Sequence, residues 1–217
     1  MNNREIIVKG IGKTSSTPDL IVLNLNIEVT AQDYDKTLQR NSEIIDKLRE
    51  AIVSAGHNCK EIKTTIFNIN TKYERYRESG GHKERFTGYT SYHNLTLEFD
   101  LDMSVLGKTL GEISKSGVKP NLNISFTIKD TNAISEKLLE SAVENAKQKA
   151  IILTRASGVT LGTIQRIDYN WSEHHYYSQT DYRFNDVVCE EIGSYSMNIE
   201  PEEINIRDTA TIVWSIT

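Results

Sequence analysis

The stretch from Asp130 to Ile167, DTNAISEKLLESAVENAKQKAIILTRASGVTLGTIQRI, reads as one long helix followed by a glycine-punctuated strand. Asp130 or Asn132 supplies an N-cap oxygen. Apolar or small residues then recur at three- to four-residue spacing through Ile134, Leu138, Ala142, Ala146, Ala150, Leu153 and Ala156, which predicts one buried helix face. Glu136, Glu140 and Glu144 occupy the first half and Lys147, Lys149 and Arg155 the second, an order that opposes the helix macrodipole. Gly158 is the expected stop, because glycine enters the left-handed C′ conformation without steric cost. A helix over 131–157 is about 40 Å long at ~1.5 Å per residue, enough to cross a whole sheet. Its small residues Ala142, Ala146 and Ala150 allow a neighbouring backbone to come close.

Working outward, Glu5 to Lys13 reads as a short strand and Asp19 to Thr30 as a second, with Ile21, Leu23, Leu25, Ile27 and Val29 on one face and Asn24, Asn26 and Glu28 on the other. Gly10-x-Gly12 lacks the third glycine of a nucleotide fingerprint and leads into a strand, so it serves strand geometry. Gln32 to Ala55 changes to a helical period through Tyr34, Leu38, Ile45, Leu48, Ile52 and Ala55, interrupted by Asn41 and stopped by Gly56. A strand over 62–73, a tip at Ser79-Gly80-Gly81 and a returning strand over 87–101 make a hairpin whose end, 73–86, carries charges of both signs. A shorter helix follows Asp102 and ends by Gly117; strands over 121–128 and through Ile164 and Ile167 flank the long helix. The final strand, Ile204 to Ile216, has Asp208 on its apolar side, where a bulge or a sheet edge is expected. This order predicts an α+β domain over 1–217: a mostly antiparallel sheet with two long helices and one shorter helix packed on it.

Composition narrows the function classes. The 217 residues are 38% hydrophobic and 25% charged, which is ordinary for a folded soluble chain. A net charge of −5 argues against nucleic acid as a partner, since phosphate neutralisation needs a concentrated basic face. The chain has no apolar run near the ~18 residues that span a bilayer, so membrane association is not indicated. Met1-Asn2-Asn3-Arg4 leads directly into a strand; as written the expected location is cytoplasmic, or periplasmic if a signal peptide was removed. The two cysteines, Cys59 and Cys189, are too few for a disulfide scaffold and too far apart in sequence for a metal knuckle, and read as reduced or half-buried thiols.

The least regular segment, 168–196, is the candidate contact surface. It contains Tyr169, Trp171, His174, His175, Tyr176, Tyr177, Tyr182 and Phe184, and aromatic rings with polar tips suit a partner or oligomer interface. His174 and His175 are adjacent and point to opposite sides of an extended chain, so no metal site is expected there. His57 and Cys59 are read as a solvated turn. There is no Gly-x-Ser-x-Gly elbow, and the doublets Glu190-Glu191 and Glu202-Glu203 read as solvated charge. No catalytic residue and no cofactor are expected.

Several stretches together resemble the SIMPL-domain family, bacterial proteins of unknown function that include periplasmic immunogenic and stress-defence-like members. The resemblance lies in Ile7-Val8-Lys9-Gly10-Ile11-Gly12 with Pro18-Asp19, in Thr87-Gly88-Tyr89, in Arg155-Ala156-Ser157-Gly158-Val159 with Leu161-Gly162, and in Ile199-Glu200-Pro201. It implies an α+β fold and self-assembly, since the family includes ring- or channel-like oligomers, and it offers no catalytic residues. The expectation is a non-enzymatic homo-oligomer. The alternative is a binding module that uses the aromatic segment to hold a small ligand or a protein partner.

Overall fold

Asp130 caps the long helix as the sequence requires: its side chain accepts from the Ala133 amide at 2.9 Å, and the helix runs Thr131–Ser157 to a left-handed Gly158 at φ 69°. The structure, a computed structural model, describes residues 4–78, 81–169, 174–184 and 199–217. Its elements are β1 (Glu5–Ser16), β2 (Leu20–Ala31), α1 (Tyr34–Ala55), β3 (Lys63–Glu78), β4 (Gly81–Asp100), α2 (Met103–Lys115), β5 (Asn121–Thr127), α3 (Thr131–Ser157), β6 (Leu161–Tyr169), β7 (Tyr177–Phe184) and β8 (Ile204–Ile216). The class is α+β, as expected. The strands form two sheets, β1-β8-β6 and β3-β4-β2-β5-β7, and the pairs β1–β8, β6–β8, β2–β4 and β3–β4 are antiparallel.

The chain divides into two compact units. One comprises Met1–Asp19, Thr127–Gln179 and Pro201–Thr217; the other comprises Leu20–Phe126 and Thr180–Glu200.

In the first unit α3 seats on β1 through glycine. A Cβ on Gly10 would meet the Ala142 carbonyl at 2.0 Å, and one on Gly12 would meet the Leu138 carbonyl at 2.1 Å. Only a residue without a side chain allows this approach. The helix also satisfies β1's outer backbone: Asn145 accepts from Ile11 N at 2.9 Å, Ser141 from Lys13 N at 3.4 Å, and Lys149 donates to Lys9 O at 3.1 Å. One sheet edge is thereby covered. Val8, Ala146, Ala150, Ile212 and Trp214 pack at one end of this contact, and Ile134, Leu138, Ile204 and Ile206 at the other. The apolar stripe read for α3 needs two corrections. The buried line keeps a strict four-residue spacing, Ile134, Leu138, Ala142, Ala146, Ala150 and Thr154, so Leu153, 48% exposed, and Ala156, also exposed, fall beside it, while Thr154 turns its hydroxyl onto the Ala150 carbonyl.

In the second unit α1 and α2 cover the apolar face of β2, β4 and β5, with Leu23, Leu25, Leu48, Ile52, Leu95, Leu97, Leu106 and Ile124 in the core. Two readings of α1 change. Tyr34 is 48% exposed, and Asn41, taken as an interruption, is buried at 3%. Its amide is satisfied within the core by Ser91 Oγ at 3.2 Å and His93 Nδ1 at 2.9 Å. The opposite face of this sheet is polar. Asn24, Asn26, Asn94, Asn68 and Asn70 share it by register, and Asn121 and Asn123 lie opposite the buried Leu122 and Ile124.

Candidate functional site

The candidate site is built on Asp208. The expected bulge is absent, since β8 pairs with β1 without a register break from Ile204 to Ser215. On the other side the last pair of β6 with β8 among the described residues is Tyr169↔Ala210, two residues short of Asp208. Its inward parity among Ile206, Ala210 and Ile212 would bury a bare carboxylate, an arrangement that costs several kcal/mol unless the charge is hydrogen-bonded. Three donors meet it. Tyr169 Oη donates to Oδ2 at 2.8 Å, His174 Nε2 lies 3.1 Å from Oδ2, and Thr209 N donates to Oδ1 at 2.6 Å.

The side chains of Asp208 and His174 are 4% and 10% exposed. Burial by itself pushes the Asp208 carboxyl upward, but the hydrogen bonds from Tyr169 and Thr209 and the charge and hydrogen bond of His174 outweigh it, and the carboxyl sits below its ordinary value. The same bond to Asp208 raises the Tyr169 phenol, and burial adds to the rise. Asp208 is therefore an ionised anchor. It holds the end of β6 and the chain at His174 onto β8.

Of the aromatic segment, Tyr169 and His174 turn inward to this anchor. Tyr176 stands beside His174 with ring centroids 6.0 Å apart; its Oη shares a 2.5 Å hydrogen bond with Ser135 Oγ of α3, and its carbonyl accepts from Thr127 Oγ1 at 2.6 Å. His175 and Tyr177 form a separate tilted pair at 5.2 Å, and Tyr177 is 41% exposed. Tyr182 is exposed on β7. The segment was read as irregular, yet Tyr177–Phe184 is a strand beside β5. Trp171, Cys189, Glu190-Glu191 and the side chain of Phe184 lie outside the described residues, as do Ser79 and Gly80 at the hairpin tip.

A correction applies to His57, read as part of a solvated turn. It is 9% exposed, its ring lies 4.8 Å from that of Phe99, and Nε2 is 2.7 Å from Thr109 Oγ1. Thr109 already donates to Val105 O, so it accepts from His57 and Nε2 bears the proton. Cys59 is exposed and free. Among the described residues no three His, Cys, Asp or Glu side chains converge as a metal site would require. Two shallow clefts of about 310 and 330 Å³ share Lys47 and Ser116 and mix Lys, Glu and Ile without a nucleophile–base pair.

Comparison with known proteins fits these features. The model of the SIMPL family, described as a protein of unknown function (DUF541), matches residues 6–214. The chain belongs to this family. It is 29% identical over 163 residues to the 26 kDa periplasmic immunogenic protein of Brucella melitensis biotype 1 and 28% identical over 163 residues to that of Brucella abortus, in each case over 75% of this chain. The match spans 65% of the length of those two relatives. An uncharacterized protein YggE of Edwardsiella ictaluri is 21% identical over 171 residues, covering 77% of this chain and 68% of that protein. The two glycines that seat α3 lie within the matched region.

Proposed function

We propose that this SIMPL-family chain is a non-enzymatic, self-assembling protein of the bacterial cell envelope. The observation behind the reading is the contrast between the edges of the three-stranded sheet. Three α3 side chains bond the outer backbone of β1, whereas among the described residues no α3 side chain does so on β6, whose Ile164 and Ile167 are 51% and 54% exposed. On the same unit α3 exposes Ile152 at 61% and Leu153 at 48%. Open strand edges with apolar side chains are templates for pairing with another chain, and large exposed apolar patches mark interaction sites. The periplasmic names of two relatives support an envelope location.

Static light scattering of the purified chain at several concentrations tests the reading. A particle of many subunits whose mass does not change on dilution is expected, and Ile164→Lys with Ile167→Lys should break it into smaller species. A monomer at every concentration would overturn self-assembly.

A further inference from the structure

The hairpin formed by β3 and β4 outgrows its sheet. β2 accompanies β4 only from Asp100 back to Tyr89, its partner there being Ala31, while β3 and β4 continue as a pair to Glu78↔Gly81. From Lys72 onward the chain is therefore a two-stranded arm, with no third strand among the described residues. Such a ribbon is marginal in water and is stabilised by what packs on it.

This arm presents rings to solvent: Tyr73 is 55% exposed, Phe86 45% and Tyr76 42%. Tyr73, Phe86, Tyr89 and Tyr34 form an edge-to-face series with centroid separations of 5.8, 5.3 and 5.6 Å, which roots the arm on α1. Such contacts stiffen the ribbon.

Its charge differs from that of the whole chain. Lys72 to Phe86 holds five Lys or Arg against three Glu, while the chain as a whole carries −5. Two of the arginines are used internally, Arg75 with Glu84 at 2.8 Å and Arg85 with Glu74 at 3.8 Å. Lys72 and Arg77 form no ion pair among the described residues. The arm is a stiff basic and aromatic projection on a chain that is otherwise acidic.

The complementary surface is on α3. Glu136, Glu140 and Glu144 stand at four-residue intervals, all exposed. Like charges at i, i+4 are mutually destabilising on a helix, and among the described residues none of the three has a basic partner. Glu144 only accepts from Gln148 at 2.7 Å. The stripe spans about 12 Å along the helix, and Lys72 to Arg77 spans about 16 Å along β3, the end strand of its sheet, with the two side chains leaving that edge from opposite faces.

We propose that the β3–β4 arm of one copy docks on the Glu136–Glu140–Glu144 stripe of a second copy. This rests on the self-assembly reading and names its contact. Each chain carries both surfaces, so the contact is heterologous: it passes from copy to copy and closes into a ring when the rotation allows. Glu84 and Glu74 are answered within the arm by Arg75 and Arg85, which leaves Lys72 and Arg77 as the cations that meet the carboxylates of the stripe.

The test uses the full chain with light scattering and circular dichroism. Lys72→Glu with Arg77→Glu, or Glu136→Lys with Glu140→Lys, is expected to leave the spectrum unchanged and to raise the subunit dissociation constant at least about tenfold. Combining all four substitutions, or mixing the two double variants, restores assembly, and added salt weakens the wild-type contact. If the wild type assembles and neither double variant alters it, the contact is overturned and self-assembly stands. A wild-type monomer overturns both. Loss of assembly in the arm variant alone, without rescue, excludes the α3 stripe as the arm's partner. Equal retention of wild type and arm variant on anionic vesicles excludes a lipid role for Lys72 and Arg77; loss of retention in the variant counts against the proposal.

Discussion

Replacing Gly10 by Ala tests the seat of the long helix with a single methyl group. The new Cβ would lie 2.0 Å from the Ala142 carbonyl and 2.7 Å from both the Cβ and the amide nitrogen of Ala146, against an ordinary contact of 3.4–4 Å. Backbone cannot rotate aside as a side-chain tip can. Relief requires α3 and β1 to separate by more than an ångström, which loosens Ala146 and Ala150 from Val8, Ile212 and Trp214 and stretches the 2.9 Å bond from Ile11 to Asn145. Overpacking of this kind costs about 1–3 kcal/mol, and a lost hydrogen bond adds about 1 kcal/mol. The expected loss is about 3 kcal/mol, or about 6–12 °C in Tm for a chain of this size. The control is Gly107→Ala on α2, where a Cβ meets nothing within 4 Å; removing a helical glycine there should stabilise by about 0.5–1 kcal/mol. Urea and thermal unfolding followed by circular dichroism measure both. If Gly10→Ala unfolds within about 0.5 kcal/mol of the parent, α3 does not rest on β1 through its glycines.

Four further outcomes follow from the same contacts. Asp208→Ala strands the Tyr169 hydroxyl and the His174 ring, and should cost about 2–3 kcal/mol in urea unfolding, with Asp208→Asn costing less. Because the folded Asp208 carboxyl lies below its unfolded value, its contribution is complete above the unfolded carboxyl pKa and fades as pH falls through the folded one; the pH dependence between the two should vanish in Asp208→Ala. His57 and His93 are both lowered, chiefly by burial, so stability should decline as pH falls below about 6.5, where the unfolded imidazoles take up protons first; long-range nitrogen NMR should find the proton on Nε2 of His57 and on Nδ1 of His93, which faces the Asn41 oxygen. Asn68→Thr and Asn70→Thr replace a poor strand former on an exposed face, so each should raise stability by a few tenths of a kcal/mol, and a fall in the melting temperature would show that the amides are engaged.

The candidate site was only partly legible. Tyr169 and His174 were selected as aromatic residues of an irregular segment, and Asp208 as a polar break in an apolar strand. Nothing local connects them, because Asp208 lies 34 residues from His174. Tyr176 was legible as a surface ring, whereas its bond to Ser135 depends on where α3 crosses. His57 was misread because Gly56 and Asn58 give it the neighbours of a turn, while its partner Thr109 is on another helix.

What the sequence determined alone is what nearest neighbours along the chain decide: the helical and strand periods, the caps at Asp130, Gly56 and Gly158, and the wet and dry faces of β2. These depend on spacings of two to four residues. Only the tertiary structure decided that the strands divide into two sheets, that Asn145 and Ser141 cover the edge of β1, that the buried line of α3 runs through Thr154 and leaves Leu153 exposed, and that the hairpin runs beyond its neighbours as an arm. Each of these depends on which surfaces meet across long chain separations, where side-chain volume and backbone hydrogen bonds act between residues that no local pattern links.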